Sequence, residues 1–256
     1  MSPPRAVGII PARLHSTRLP RKLLLAETGK PLLQYTWEAA RRSRSLSDVI
    51  VATDSPEIAA VVNRFGGRCE MTGEHPSGTD RIAEVARRCC ADADVFVNIQ
   101  GDEPEIDPAQ IDLLVRTLLE HSRAETATLA TPIRNAPDRD RPSCVKVVCA
   151  ADGRALYFSR AAIPFCRDAD PDSLLESSSP WLQHIGLYAY RREFLFRLTG
   201  LPPSRLEQLE KLEQLRALEA GATIQVAVVE HRSVGIDTAE DYARFIERQR
   251  ASTSVA

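Results

Sequence analysis

Residues 8–24, Gly-Ile-Ile-Pro-Ala-Arg-Leu-His-Ser-Thr-Arg-Leu-Pro-Arg-Lys-Leu-Leu, start as an apolar run and break into a loop with five possible phosphate ligands, Arg13, Ser16, Arg18, Arg21 and Lys22. A buried strand that empties into a polar, cationic loop ahead of a helix is where an open α/β sheet binds a nucleotide. A second apolar run ends in carboxylates, at Asn98-Ile99-Gln100-Gly101-Asp102-Glu103-Pro104. Cations for phosphates at one strand end and carboxylates for a metal at another point to metal-assisted chemistry on a nucleoside triphosphate.

Outward from these two stretches, apolar runs at 6–11, 48–52, 94–99, 126–133, 144–149, 183–190 and 223–229 predict strands, several nearly continuous as when both sheet faces are covered. Amphipathic stretches at 31–44, 56–65, 78–89, 108–121, 205–220 and 239–250 predict helices, several opening on proline. The first half alternates strand and helix, which implies an α/β fold with a mostly parallel, doubly wound sheet. The strand-rich second half adds antiparallel or mixed strands. Residues 164–180 are expected to form a long surface loop, and the end after Gln249 to fray.

Composition excludes several classes. A chain of 256 residues with 43% hydrophobic and 27% charged residues is ordinary for one α/β domain. Thirty-three basic against 35 acidic residues, net −2, predict no nucleic-acid or membrane surface. The apolar runs are too short to span a bilayer, and Met1 to Arg5 lead into a strand without a signal-peptide core, so a cytoplasmic location is expected. Cys69, Cys89, Cys90, Cys144, Cys149 and Cys166 lack metal or disulfide spacing and are expected to be reduced thiols.

Each candidate has a plain structural alternative. Gly29-Lys30 resembles the end of a Walker A motif, but Pro31 replaces the needed hydroxyl residue and no glycine-rich loop precedes it. Asp237 or Thr238, ahead of Ala239-Glu240-Asp241, has the place of a helix N-cap, and Asp102 that of a turn residue. Ser77-Gly78-Thr79-Asp80-Arg81 is a capping arrangement that needs no ligand. His184 at a strand start and Glu213-Gln214 on a helix face are structural in most proteins. His15, His75, His121 and His231 show no ligand spacing, so no zinc is expected.

The chain nevertheless carries eight blocks in order: Ile9-Ile10-Pro11-Ala12-Arg13 through Lys22, then residues 51–59, 77–81, 98–104, 156–164, 184–191, 209–216 and 235–238. Together they resemble the 3-deoxy-D-manno-octulosonate (KDO) cytidylyltransferases nearly end to end. The resemblance implies a nucleotide-diphospho-sugar transferase (glycosyltransferase-A-like) fold in one domain over 1–256. Its nucleotide-binding part would cover about 1–125, and a sugar-binding and dimerisation part with a small mixed-strand excursion about 126–235. The implied reaction gives CMP-KDO and pyrophosphate from CTP and KDO for lipopolysaccharide synthesis, with Mg2+ as cofactor and a homodimer as the assembly.

By the same resemblance Arg13, Lys22 and Asp102 are catalytic, and Asp102 and Asp237 hold the metal. Ala12, Arg13, Ser16, Arg18, Lys22, Ser77, Gly78, Arg81 and Gln100 bind the nucleotide, with Arg81 on phosphate or in support of the fold. Arg160, His184, Tyr188, Glu213 and Gln214 bind the sugar acid. One departure stands out. The family reads Leu-Pro-Gly-Lys-Pro-Leu where this chain has Leu19-Pro20-Arg21-Lys22-Leu23-Leu24. Either the loop needs no left-handed backbone at position 21, or its path differs. Arg21 is expected beside the triphosphate path. Rival readings are a cytidylyltransferase for another acidic sugar, such as 8-amino-KDO or a sialic-acid-like nonulosonate, and a catalytically silent nucleotide-binding protein. A sugar-transferring glycosyltransferase is disfavoured because Gly101-Asp102-Glu103 is not a DxD motif.

Overall fold

Strand β1 (Ala6–Ala12) is buried at every residue but Pro11, as a central parallel strand must be when helices cover both faces. The computed structural model describes residues 4–177 and 179–253. Helix α1 (Leu32–Arg41) buries Leu32, Leu33, Thr36, Ala39 and Ala40, the stripe that an i, i+3, i+4 spacing puts on one face. Strand β2 (Leu46–Thr53) runs parallel to β1, with Ile50 opposite Ile9 and Thr53 opposite Ala12. Helix α2 (Pro56–Arg64) starts where Ser55 accepts a hydrogen bond from the Ile58 amide, and proline takes the first helical position. Strand β3 (Arg68–Met71) joins β2 in parallel. Helix α3 (Gly78–Cys89) leads to β4 (Val95–Asn98), which lies parallel on the other side of β1. Helix α4 spans Pro108–Glu120.

The strand order β3-β2-β1-β4 is that of a doubly wound sheet. The chain steps outward from β1 to β3 and then returns across β1 to β4. The helices after β1 and β4 therefore diverge, and a crevice opens at the carboxyl ends of those two strands.

The chain divides into two compact units, Met1–Asp112 with Ser233–Ala256, and Leu113–Arg232. The second unit holds β5 (Thr126–Pro132), α5 (Ala136–Asp140), β6 (Lys146–Cys149), β7 (Ala155–Ser159), α6 (Ser173–Ser177), β8 (Leu182–Arg191), α7 (Arg192–Leu198), α8 (Arg205–Glu210), α9 (Gln214–Glu219) and β9 (Ile224–Val228). Here β5 pairs antiparallel with β8 and parallel with β9, while β6 pairs antiparallel with β7 and β8. Helix α10 (Ala239–Thr253) belongs to the first unit, where Tyr242 and Phe245 pack with Leu32 and Ile236.

Several expected elements change. The single helix over 205–220 is two, because Lys211 takes a left-handed conformation (φ 54°, ψ 47°). A capping box of Ser204 and Glu207 opens α8, and the Arg216 guanidinium donates to both Glu207 carboxylate oxygens at 2.5 and 2.8 Å, folding α9 back on it. Strand β3, an edge strand, was hidden by the charges of Arg68 and Glu70. The stretch 164–180 contains α6, and α10 continues past Gln249 to Thr253. Residues 254–256, the rest of the expected frayed end, lie outside the described residues. All six cysteines are free thiols, and no described helix is long and apolar enough to cross a membrane.

Candidate active site

The crevice beyond β1 and β4 is a cavity of about 540 Å³ within the first unit. Ala12, Arg13, Ser16, Arg18, Lys22, Ser77, Gly78, Arg81, Gln100, Asp102 and Asp237, the expected nucleotide and metal residues, all line it. Ala12 is 1% exposed and offers only backbone.

Lys22 sits at the centre of the charge arrangement. It opens a short 3-10 turn (Lys22–Leu24) in which the Leu24 amide donates to the Arg21 carbonyl at 2.9 Å. Leu23 is buried, and its methyl groups lie 3.5 Å from where a Cβ on Gly101 would stand. Turn and β4 end are thus packed together, and Lys22 Nζ reaches Asp102 Oδ2 at 2.5 Å, Asp237 Oδ1 at 3.0 Å and the Ile236 carbonyl at 3.0 Å. Its side chain is only 13% exposed. A second cation, Arg18, approaches Asp237 Oδ1 at 2.9 Å.

The turn also answers the question raised by Arg21. Its backbone is left-handed (φ 56°, ψ 26°), so the conformation that favours glycine is used here by an arginine. The guanidinium does not line the cavity: it pairs with Glu57, which corrects the expectation of a place beside the triphosphate path.

Asp237 is not the cap of α10. Thr238 Oγ1 accepts from the Asp241 amide at 3.1 Å, and Asp241 Oδ2 accepts from the amides of Thr238 (3.0 Å) and Asp237 (3.2 Å). That reciprocal pair satisfies the helix start and leaves the Asp237 carboxylate to the cations. Ser77, by contrast, does cap α3, its Oγ accepting from the Asp80 amide at 3.1 Å. Gly78 follows against β1, where an added Cβ would stand 3.2 Å from Pro11 Cγ. Arg81 is nearly buried and donates to Asp54 Oδ2 (2.8 Å) and Thr72 Oγ1 (2.6 Å), which makes fold support its visible role.

One ammonium contacts both Asp102 and Asp237, so a single small cation can meet an oxygen from each. No group of three or more His, Cys, Asp or Glu that could hold a metal ion occurs among the described residues. Two carboxylates suit an ion that fills its shell with phosphate oxygens and water, as Mg2+ does.

The expected sugar residues lie in the second unit. Arg160 donates from Nε to the Glu210 carbonyl (2.7 Å), and from its terminal nitrogens to the carbonyls of Pro142 (3.0 Å) and Lys211 (3.3 Å). Beside it Lys146, fully buried, donates from Nζ to the carbonyls of Arg141 (3.1 Å), Cys144 (2.5 Å) and Arg160 (2.8 Å), and burial lowers its pKa. His184 stands edge-on to Phe158 and 5.3 Å from the Tyr188 ring. Its Nε2 is 3.0 Å from Thr128 Oγ1. Burial lowers the ring's pKa to about 3, although the residue as a whole keeps some exposure, so it is neutral near pH 7. Burial, then the neighbouring Tyr190 and Glu213, raise the Tyr188 phenol. The Tyr188 hydroxyl and Gln214 Nε2 are buried without a hydrogen-bond partner of ordinary geometry, the condition of groups that a ligand would satisfy. The structure thus groups His184, Tyr188 and Glu213, while the Arg160 guanidinium is taken up by carbonyls.

Sequence reasoning missed His15, Thr17 and His75, which also line the cavity. The position of His75 directly before Pro76-Ser77-Gly78 was the available signal.

A switch-point crevice with cations on one strand end and a carboxylate on the next belongs to nucleotide-handling α/β transferases. The sequence model of the family described as cytidylyltransferase matches residues 7–224. A 3-deoxy-manno-octulosonate cytidylyltransferase of Rhodopirellula baltica is 53% identical over 242 residues, covering 94% of this chain and 96% of its own. One from Geobacter sulfurreducens is 47% identical over 246 residues, covering 94% and 98%. A solved structure of CMP:2-keto-3-deoxy-manno-octonic acid synthetase complexed with CTP superposes with a TM-score of 0.89 at 39% identity, covering 97% of this chain and 99% of that one. The chain belongs to the 3-deoxy-manno-octulosonate cytidylyltransferase family.

Proposed function

We propose that this protein transfers CMP from CTP to KDO and releases pyrophosphate. The observation that carries the proposal is the Lys22 ammonium held between Asp102 and Asp237 at the mouth of the β1 loop. Arg13, Arg18 and Lys22 bind the triphosphate and take up charge that moves onto the pyrophosphate as the sugar's anomeric hydroxyl attacks the α-phosphorus in line. Asp102 and Asp237 would hold Mg2+, and the ion would supply charge neutralisation on the phosphate oxygens. Ser77 and Gly78 border the base, and Gln100 the nucleotide. Arg160, His184, Tyr188, Glu213 and Gln214 take the sugar acid, the buried Tyr188 hydroxyl and Gln214 Nε2 finding partners on its hydroxyls. No covalent enzyme intermediate is needed.

CTP as substrate assigns the reaction to the cytoplasm. We further assign a homodimer, supported by Leu156, Phe165, Leu209 and Val228, large apolar side chains exposed on the second unit, Phe165 by 85%. The test is pyrophosphate release from CTP with KDO, 8-amino-KDO and a nonulosonate, with and without Mg2+. KDO as the fastest acceptor and loss of activity without the ion support the proposal. Turnover confined to another acidic sugar overturns the substrate, and CTP binding without turnover overturns the reaction.

A further inference from the structure

We propose that His75 reads the base of the bound nucleotide, accepting a hydrogen bond at Nδ1 from an exocyclic amino group, and that Glu84 is the positioning residue that presents it. This rests on the reading of the cavity as a CTP site. His75 lines the cavity next to Ser77 and Gly78, and its Nε2 lies 2.7 Å from Glu84 Oε2. That carboxylate is fixed from three sides. Oε2 also accepts from the Gly73 amide at 3.1 Å, and Oε1 accepts from Arg88, one turn along α3, at 2.6 Å.

The hydrogen bond from His75 is the leading influence holding the Glu84 carboxyl below its usual range, so Glu84 is an acceptor and the ring donates from Nε2. Arg88 donates to the same carboxylate, and the ring is taken in the tautomer that carries its proton on Nε2. Its Nδ1 then carries a lone pair, and no hydrogen bond occupies it among the described residues. A lone pair repels phosphate oxygens and the carbonyl oxygen of uracil but matches an amino group. The cations that suit phosphates, Arg13, Arg18 and Lys22, come from a different segment of the cavity lining. A site built to pair with one such group discriminates against a ligand that lacks it.

The experiment measures affinity for CTP and UTP with Mg2+ by titration calorimetry, without sugar, for the wild-type chain, His75→Phe, His75→Asn and Glu84→Gln, with melting curves for each. The wild type is expected to prefer CTP. His75→Phe should shrink the CTP-to-UTP affinity ratio about tenfold, the scale of one buried hydrogen bond, mostly by weakening CTP. Glu84→Gln should shrink it less, and His75→Asn, which keeps an amide oxygen near the Nδ1 position, should retain part of it. A folded His75→Phe with the wild-type ratio overturns the inference while leaving the CTP reading intact. A wild type without preference overturns both. If His75→Phe does not fold, a folded Glu84→Gln with an unchanged ratio overturns the assignment just as well.

Discussion

Exchanging Thr238 for Ala and, separately, Asp237 for Asn should separate the stability of α10 from the chemistry of the site beside it. Thr238 Oγ1 accepts from the Asp241 amide at 3.1 Å, and the Asp241 carboxylate accepts in return from the amides of Thr238 and Asp237. Losing a threonine cap costs about 1 kcal/mol. In a chain of this length that lowers Tm by about 2–4 °C. The helix start does not use the Asp237 side chain, which is 42% exposed and paired with Lys22 and Arg18. Such partly exposed pairs are worth about 1 kcal/mol at most. The amide of Asn keeps the shape and removes the charge, so its cost should fall on turnover, by at least about a hundredfold. Thermal melting and pyrophosphate release on the same preparations measure both effects. Asp237→Asn with near-normal turnover and the larger loss of Tm would refute the division of labour between these neighbours.

Lys22→Ala should abolish most turnover and, without nucleotide, tighten Mn2+ binding measured by electron paramagnetic resonance, because the ammonium no longer lies between the carboxylates. Unchanged Mn2+ affinity would show that lysine and ion do not share that place. Arg21→Gly relieves a left-handed residue, worth about 1 kcal/mol. It gives up an exposed pair with Glu57 worth less than that, so Tm should hold or rise slightly and turnover change little. A crippled Arg21→Gly enzyme would mean that this arginine contacts phosphate after all. His184 has a folded pKa of about 3 against an ordinary 6.5, so the unfolded chain binds the extra proton between those values. Its contribution to stability is complete above pH 6.5 and is lost as pH falls towards 3. A His184→Gln variant should show a flatter stability profile over that window in denaturant titrations.

The parallel half of the fold was legible because β1, β2 and β4 are apolar enough to declare burial on both faces, and α3 runs over the residues its pattern marked. The break at Lys211 was not, since Arg205 to Ala220 keeps an amphipathic spacing through a residue with no turn signature. In the site, residue types at the strand ends foretold which side chains gather. Their division of work needed coordinates: a sequence reader sees Asp237 and Thr238 as equal candidates for one cap, and only the hydrogen bond from the Asp241 amide chooses between them. Similarly, nothing in the letters Leu-Pro-Arg-Lys distinguishes a loop that avoids the left-handed region from one that forces an arginine into it.

The Lys146 ammonium, closed off from water by three carbonyls, makes this unit of the protein a recorder of its own opening. Amine-directed reagents that decorate surface lysines within seconds cannot reach it while those carbonyls hold. The rate at which Lys146 acquires such a label therefore counts the excursions in which the segments around Arg141 and Arg160 part, and mass spectrometry of one peptide turns that count into a clock for local unfolding.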